Sequence, residues 1–191
     1  MNLPNKLTTA RAAVIPFFLA AMLGKWPAGW HYPLALTLFA AAALTDRLDG
    51  KIARERNQIT DFGKFMDPLA DKLLVVSALV CLLADGLASP WAVLIVIARE
   101  FMVTGLRLVA VEDGRVIAAN RWGKAKTVLQ ILAVCAVLAL QSALELGAAA
   151  ETSAAAFSAC GQFLVWVAAA FTAVSGAVYI GQNIDLFRGA K

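Results

Sequence analysis

Six long apolar runs, separated by short breaks, place most of this chain in lipid. They cover roughly residues 8–24, 33–55, 61–84, 90–111, 124–146 and 160–184. Each is close to the length of about 20 residues that carries a helix across about 30 Å of hydrocarbon, at a rise of about 1.5 Å per residue. The breaks have local causes. "GKWPAGWHYP" combines glycine, proline and aromatics that favour the membrane interface, "ADGLASP" holds Gly86 and Pro90, and "VEDGRVIAANRWG" is polar. "LGAAAETSAAA" carries no basic residue and is read as a short loop or interfacial turn. Of the 191 residues, 61% are hydrophobic and 16% charged. A soluble domain carries about 45–50% and about 25%. The predicted fold class is an all-α membrane protein with six transmembrane helices in a single domain, 1–191, with no internal repeat.

The first run follows "MNLPNKLTTAR", whose two basic residues resemble those of a secretory signal. Pro16 interrupts that run, however, and no small-residue cleavage site precedes Lys25, so it is read as a retained first span. Cys81, Cys135 and Cys160 lie in or beside apolar runs and form no CxxC pair, so they are expected to be small buried hydrophobes. His31, between Trp30 and Tyr32 in a short connection, is read with them as interfacial.

The net charge is +4. Its basic residues flank apolar spans and form no long stripe, which argues against nucleic acid as a partner and for anionic headgroups. With six spans both termini lie on one side. That side collects Lys6, Arg11, the 47–72 cluster, Arg115, Arg121, Lys124, Lys126, Arg188 and Lys191, whereas the opposite connections hold only Lys25. The positive-inside rule then puts both termini in the cytoplasm of a cell whose inner (cytoplasmic) membrane the chain crosses.

Against this apolar background, "DRLDGKIARERNQITDFGKFMDPLADK" concentrates carboxylates at the cytoplasmic end of spans two and three. Asp46 and Asp49 are three apart, and Asp67 and Asp71 four apart, so each pair shares a helix face. The two spans are expected to run antiparallel through a turn near Asn57–Thr60, which lets the pairs face one another. Like charges so close need raised pKa values or a neutralising cation. Carboxylate oxygens suit Mg²⁺, Mn²⁺ or Ca²⁺, and four of them are enough for two ions, an arrangement used for displacement at phosphorus. Ion pairs with Arg47, Lys51, Arg54 and Lys72 are the alternative for any single aspartate. Gly50 is costly in a helix interior and is read as room for a close approach, as is Gly63 on the facing helix. Asp61 lies off these faces and receives no chemical role.

Arg99, Arg107, Lys124 and Lys126 lie in or at the ends of spans, where a charge is a functional candidate by default. Arg99 and Arg107 are about two turns apart on one face, and the four together are read as a basic pocket for a phosphate. Pairing of Arg99 with Glu100 of a neighbouring helix or with a site aspartate, and snorkelling of the lysines, are the alternatives. A cation transporter would need acidic residues through the membrane depth. Asp85, Glu145 and Glu151 instead sit in or beside connections. A structural membrane protein without catalysis leaves the paired carboxylates unexplained.

The whole pattern reads Asp46-x2-Asp49-Gly50-x2-Ala53-Arg54-x8-Gly63-x3-Asp67-x3-Asp71. It resembles the signature of the CDP-alcohol phosphotransferase family, with all eight fixed residues matched over 26 positions. "NLPNKLTTAR", "DPLADKLLV", "AREFMVTGLRLVA" and "GKAKTVLQ" resemble the bacterial branch whose acceptor is glycerol 3-phosphate. The resemblance implies transfer of a phosphatidyl group from CDP-diacylglycerol to sn-glycerol 3-phosphate at a site facing the cytoplasm, giving phosphatidylglycerophosphate and CMP. Serine, inositol phosphate and phosphatidylglycerol are the competing acceptors. A basic pocket disfavours serine only. The resemblance further implies two divalent cations, Mg²⁺ or Mn²⁺, held by Asp46, Asp49, Asp67 and Asp71, and Asp71 as the base that takes the hydroxyl proton. Gly50 and Ala53 would offer the nucleotide a small surface, and Arg54 would reach the pyrophosphate. Asn5, Thr8 and Gly63 would contact cytidine or phosphate, with Thr8 alternatively an N-cap of span one. A homodimer is implied by resemblance alone.

Overall fold

Apolar periodicity and alanine-rich stretches give helices throughout. The structure, a computed structural model, describes the backbone of residues 3–24, 29–55, 61–112, 117 and 121–184, and the side chains of 13–24, 29–45, 72–111, 117 and 121–184. In order the helices are α1 (Leu3–Leu23), α2 (His31–Glu55), α3 (Asp61–Ala84), α4 (Pro90–Glu112), α5 (Arg121–Glu145) and α6 (Ala154–Gln182), with a short 3-10 turn, Glu151–Ser153, before α6. These six are the helices of the described residues, and every one coincides with an expected run.

Two boundaries differ by five residues or more. α1 starts at Leu3 and continues through Pro16 without ending. Proline is tolerated inside spanning helices because neighbouring groups and small local adjustments re-satisfy the freed carbonyl. α6 starts at Ala154 rather than near residue 160, so the final alanines of "LGAAAETSAAA" are helical. Alanine has the highest helix propensity, and only the turn at Gly147, with φ 69°, breaks the chain before it.

Two helices among the described residues, Arg121–Glu145 and Glu151–Gln182 (the latter counted with its 3-10 turn), are long and apolar enough to cross a membrane, and Ala13–Leu23, His31–Thr45 and Lys72–Ala84 are shorter apolar stretches. α4 is interrupted by Arg99, Glu100 and Arg107. These three charges, which build the site described below, and not a lack of apolar residues, set α4 apart from the two spans.

α1 packs on α2 and α3, α2 on α5, and α6 on both α4 and α5. Phe18 and Phe39, each fully buried, meet with ring centroids 5.8 Å apart, and Leu82, Val134, Val137, Leu138 and Val165 continue the core. At one end of the bundle the N-terminus of α2 is held by a neighbouring helix. Glu145 of α5 accepts the backbone N–H groups of His31 (3.0 Å) and Tyr32 (2.7 Å). The Tyr32 hydroxyl donates to Asp85 (3.2 Å), and His31 Nε2 lies 2.7 Å from the Met22 carbonyl. His31 and Tyr32 thus open α2 instead of lying in the connection, while Trp30 before them is exposed. Cys81 is buried, Cys135 half-buried, and Cys160 exposed on α6, against the expectation that all three are interior.

Candidate active site

The other end of the bundle carries the charges. On α4, Arg99 is 6% and Glu100 8% exposed; on α5, Lys126 is 5% exposed. Groups this apolar in their surroundings stay ionised only when paired and hydrogen-bonded. Glu100 Oε1 accepts from Arg99 Nη1 (3.3 Å) and from Lys126 Nζ. Arg99 Nη2 donates to the Ser175 hydroxyl on α6 (3.1 Å). Lys126 Nζ also approaches Gln130 Oε1 (3.4 Å), and the Gln130 amide donates to Thr172 on α6 (2.9 Å). Thr172 in turn donates to the Ala168 carbonyl (2.7 Å). A single polar chain therefore ties α4, α5 and α6 together through buried side chains.

Arg99 fits against α6 because residue 176 is glycine. A Cβ there would lie 3.0 Å from Arg99 Cγ. One nitrogen of this guanidinium is left over: among the described residues, buried Arg99 Nε has no hydrogen-bond partner. Such a donor costs about 1–3 kcal/mol unless an acceptor reaches it.

Arg107, two turns further along α4, is exposed, and its Nε donates to the Tyr179 hydroxyl (3.0 Å) with the guanidinium carbon 5.7 Å from the ring centroid. Both arginines reach α6, and their contacts there, Ser175 and Tyr179, are four residues apart where the arginines are eight apart. At about 1.5 Å per residue, about 12 Å of α4 is thereby brought to about 6 Å of α6. From α3, Lys72 Nζ donates to the Thr104 hydroxyl on α4. Glu100, Arg99 and Arg107 all act electrostatically on Lys72, and Glu100, Arg99 and Lys72 on Lys126. The cluster thus holds four cations, Lys72, Arg99, Arg107 and Lys126, and among the described residues one carboxylate, Glu100.

Of the expected basic pocket, Arg99, Arg107 and Lys126 come together. Lys124 is exposed and no hydrogen bond or ion pair joins it to the cluster among the described residues. Arg99 pairs with Glu100 of its own helix, not of a neighbouring one. Lys126 is buried on Glu100 rather than snorkelling. Sequence reasoning missed Glu100 as the centre of this network, together with Lys72, Thr104, Ser175 and Tyr179. A carboxylate inside a cationic span was the available signal for Glu100. The hydroxyl residues gave none, because their role depends on which helix α4 faces.

The helices carrying the other expected residues are described, their side chains are not. Asn5 and Thr8 lie on α1; Asp46, Asp49, Gly50, Ala53 and Arg54 on α2; Gly63, Asp67 and Asp71 on α3. The side chains of these residues, the surroundings of Gly50 and Gly63, and the turn near Asn57–Thr60 lie outside the described residues. No group of three or more His, Cys, Asp or Glu gathers among the described residues, and the four aspartates are not part of that set. Their chemistry fits a hard divalent cation: paired carboxylates one helical turn apart, on two helices, α2 and α3, that touch. Lys72 follows Asp71 directly on α3, so the aspartate-bearing stretch adjoins the cation cluster.

Helices α2 and α3, which carry the aspartate pattern, stand beside a cation-rich interior in an apolar helical bundle. The family model for CDP-alcohol phosphatidyltransferase matches residues 1–174, and the chain belongs to that family. It is 45% identical over 197 aligned residues to the CDP-diacylglycerol–glycerol-3-phosphate 3-phosphatidyltransferase of Bacillus subtilis (strain 168), covering 98% of this chain and 97% of the relative. The proteins of that name from Pseudomonas fluorescens and Rickettsia bellii (strain RML369-C) are 42% and 36% identical. They cover 70% and 93% of this chain, and the same shares of their own lengths.

Proposed function

We propose that this enzyme transfers the phosphatidyl group of CDP-diacylglycerol to sn-glycerol 3-phosphate, giving phosphatidylglycerophosphate and CMP. Likeness along the whole chain to relatives bearing that name supports the reaction. One structural observation carries the choice of acceptor. In an apolar bundle, cations outnumber described carboxylates around Arg99 and Arg107, and a buried guanidinium donor has no acceptor among the described residues. A phosphate group supplies both the charge and the oxygen atoms.

Arg99 and Arg107 hold the acceptor's phosphate, with Lys126 fixed behind them on Glu100 and Lys124 at the exposed margin. The free hydroxyl of the acceptor attacks the phosphorus that bears diacylglycerol. Its proton passes to Asp71, the bond from that phosphorus to the CMP oxygen breaks, and CMP leaves. Asp46, Asp49, Asp67 and Asp71 would hold two divalent cations, Mg²⁺ or Mn²⁺, which would offset the charge that builds on the pyrophosphate. Gly50 and Ala53 leave space for the nucleotide, Arg54 reaches the pyrophosphate, and Asn5, Thr8 and Gly63 contact cytidine or phosphate.

Residues 1–191 form one catalytic domain of six membrane-spanning helices, with both termini and the site on the cytoplasmic face of the inner membrane. The one-sided distribution of Lys and Arg supports this orientation. The placement lets a water-soluble acceptor and a lipid donor meet: one enters from water, the other sideways from the bilayer. The working unit is a homodimer. Purified enzyme in liposomes containing CDP-diacylglycerol tests the reading. CMP release should require glycerol 3-phosphate, and equal or faster release with inositol phosphate or serine would refute it.

A further inference from the structure

Resting on the acceptor-phosphate reading above, we propose that Lys72 is a further binding residue for that phosphate, reaching it from α3. The Thr104 hydroxyl has one proton, which it donates to the Glu100 carbonyl (2.7 Å). It therefore receives the Lys72 ammonium as an acceptor. That bond uses one of three N–H donors, and among the described residues no other partner takes the remaining two. Glu100, the one carboxylate among the described residues that acts electrostatically on Lys72, is already occupied by Arg99 and Lys126. Lys72 is thus anchored on Thr104, and among the described residues no ion pair neutralises it.

Its anchor sets its place. Thr104 stands one turn before Arg107 and one turn after Glu100 on α4, so the ammonium is drawn to the stretch between the two arginines. Lys72 is also next in sequence to Asp71. The acceptor has a phosphate at one end of a three-carbon chain and the reacting hydroxyl at the other. A cation on the residue following the proposed base ties the two binding functions to one helix, α3. Arginines on α4 alone would hold the phosphate with no fixed relation to the base.

Steady-state CMP release by the purified full-length enzyme in mixed micelles tests this, varying each substrate with the other saturating. Lys72→Met should raise KM for glycerol 3-phosphate about tenfold, as expected for one lost charge-assisted hydrogen bond, and leave KM for CDP-diacylglycerol within about twofold. Lys72→Arg should restore most of the acceptor affinity. An unchanged acceptor KM in Lys72→Met overturns the inference, as does an equal or larger rise for CDP-diacylglycerol, which would assign Lys72 to the pyrophosphate. Should Lys72→Met not fold, Thr104→Val decides: it must raise the acceptor KM severalfold, and no change overturns the inference. Arg107→Ala separates the two levels. If it raises the acceptor KM and Lys72→Met does not, only the Lys72 role fails; if neither does, the phosphate pocket itself fails.

Discussion

Lys126 on α5 donates to the Glu100 carboxylate on α4, and at 5% and 8% exposure both are buried in the apolar bundle. Breaking such a pair from one side leaves an uncompensated charge in a medium that cannot solvate it. Glu100 also receives Arg99. Glu100→Ala is therefore expected to destabilise the protein by about 3–5 kcal/mol, seen as a large drop in Tm in detergent. Adding Lys126→Met should recover part of that loss, since it removes one stranded cation. A Tm for Glu100→Ala near that of the parent would mean the network contributes little.

Gly176 leaves room for Arg99, whose Cγ would be 3.0 Å from a Cβ at that position. Gly176→Ala should displace the guanidinium and cost about 1–3 kcal/mol of stability through overpacking. Because Arg99 is placed at the acceptor phosphate, KM for glycerol 3-phosphate should rise more than KM for CDP-diacylglycerol. Parallel kinetic titrations of the two substrates check this.

Tyr179 is 2% exposed and receives Arg107 Nε on its hydroxyl. Arg107→Ala should raise KM for glycerol 3-phosphate well above any effect on CDP-diacylglycerol. Tyr179→Phe removes only the oxygen that orients the guanidinium, so its effect should have the same direction and be several times smaller. Equal effects of Arg107→Ala on both substrates would remove this arginine from the acceptor site.

Asp71→Asn preserves shape and one oxygen but removes the proposed base. Transfer should be abolished while divalent-cation binding, followed by calorimetry on the purified protein, is weakened but retained. Normal turnover would exclude Asp71 from proton transfer.

At the far end of the bundle, Glu145 accepts two backbone N–H groups at the start of α2, from His31 and Tyr32. It acts as a helix cap supplied from another helix, and it meets the positive end of the α2 dipole. Glu145→Ala should lower stability by about 1–2 kcal/mol, judged by Tm, with turnover per folded molecule unchanged because the substitution is remote from the cation cluster.

The six helices were legible in the residues themselves, since an apolar run near membrane length and its Gly, Pro or polar break act locally. The aspartate pattern was legible for the same reason: spacings of three and four fix a shared face whatever the surroundings. So were Arg99 and Arg107 as charges too costly to lie in a span without purpose. Their partners were not. Glu100 meets Lys126 across 26 positions, Arg99 meets Ser175 across 76, and Lys72 meets Thr104 across 32. Helical periodicity orders residues around one axis and is silent on which face of which helix lies opposite. Packing alone decided that Lys126 turns inward to a carboxylate while Lys124, two residues earlier and on another face, stays outside. It also decided that a glycine on α6 receives an arginine from α4. The sequence by itself determined which groups had to be neutralised in lipid; the tertiary structure chose their partners, because a buried charge must take whatever polar atom the neighbouring helix brings within reach.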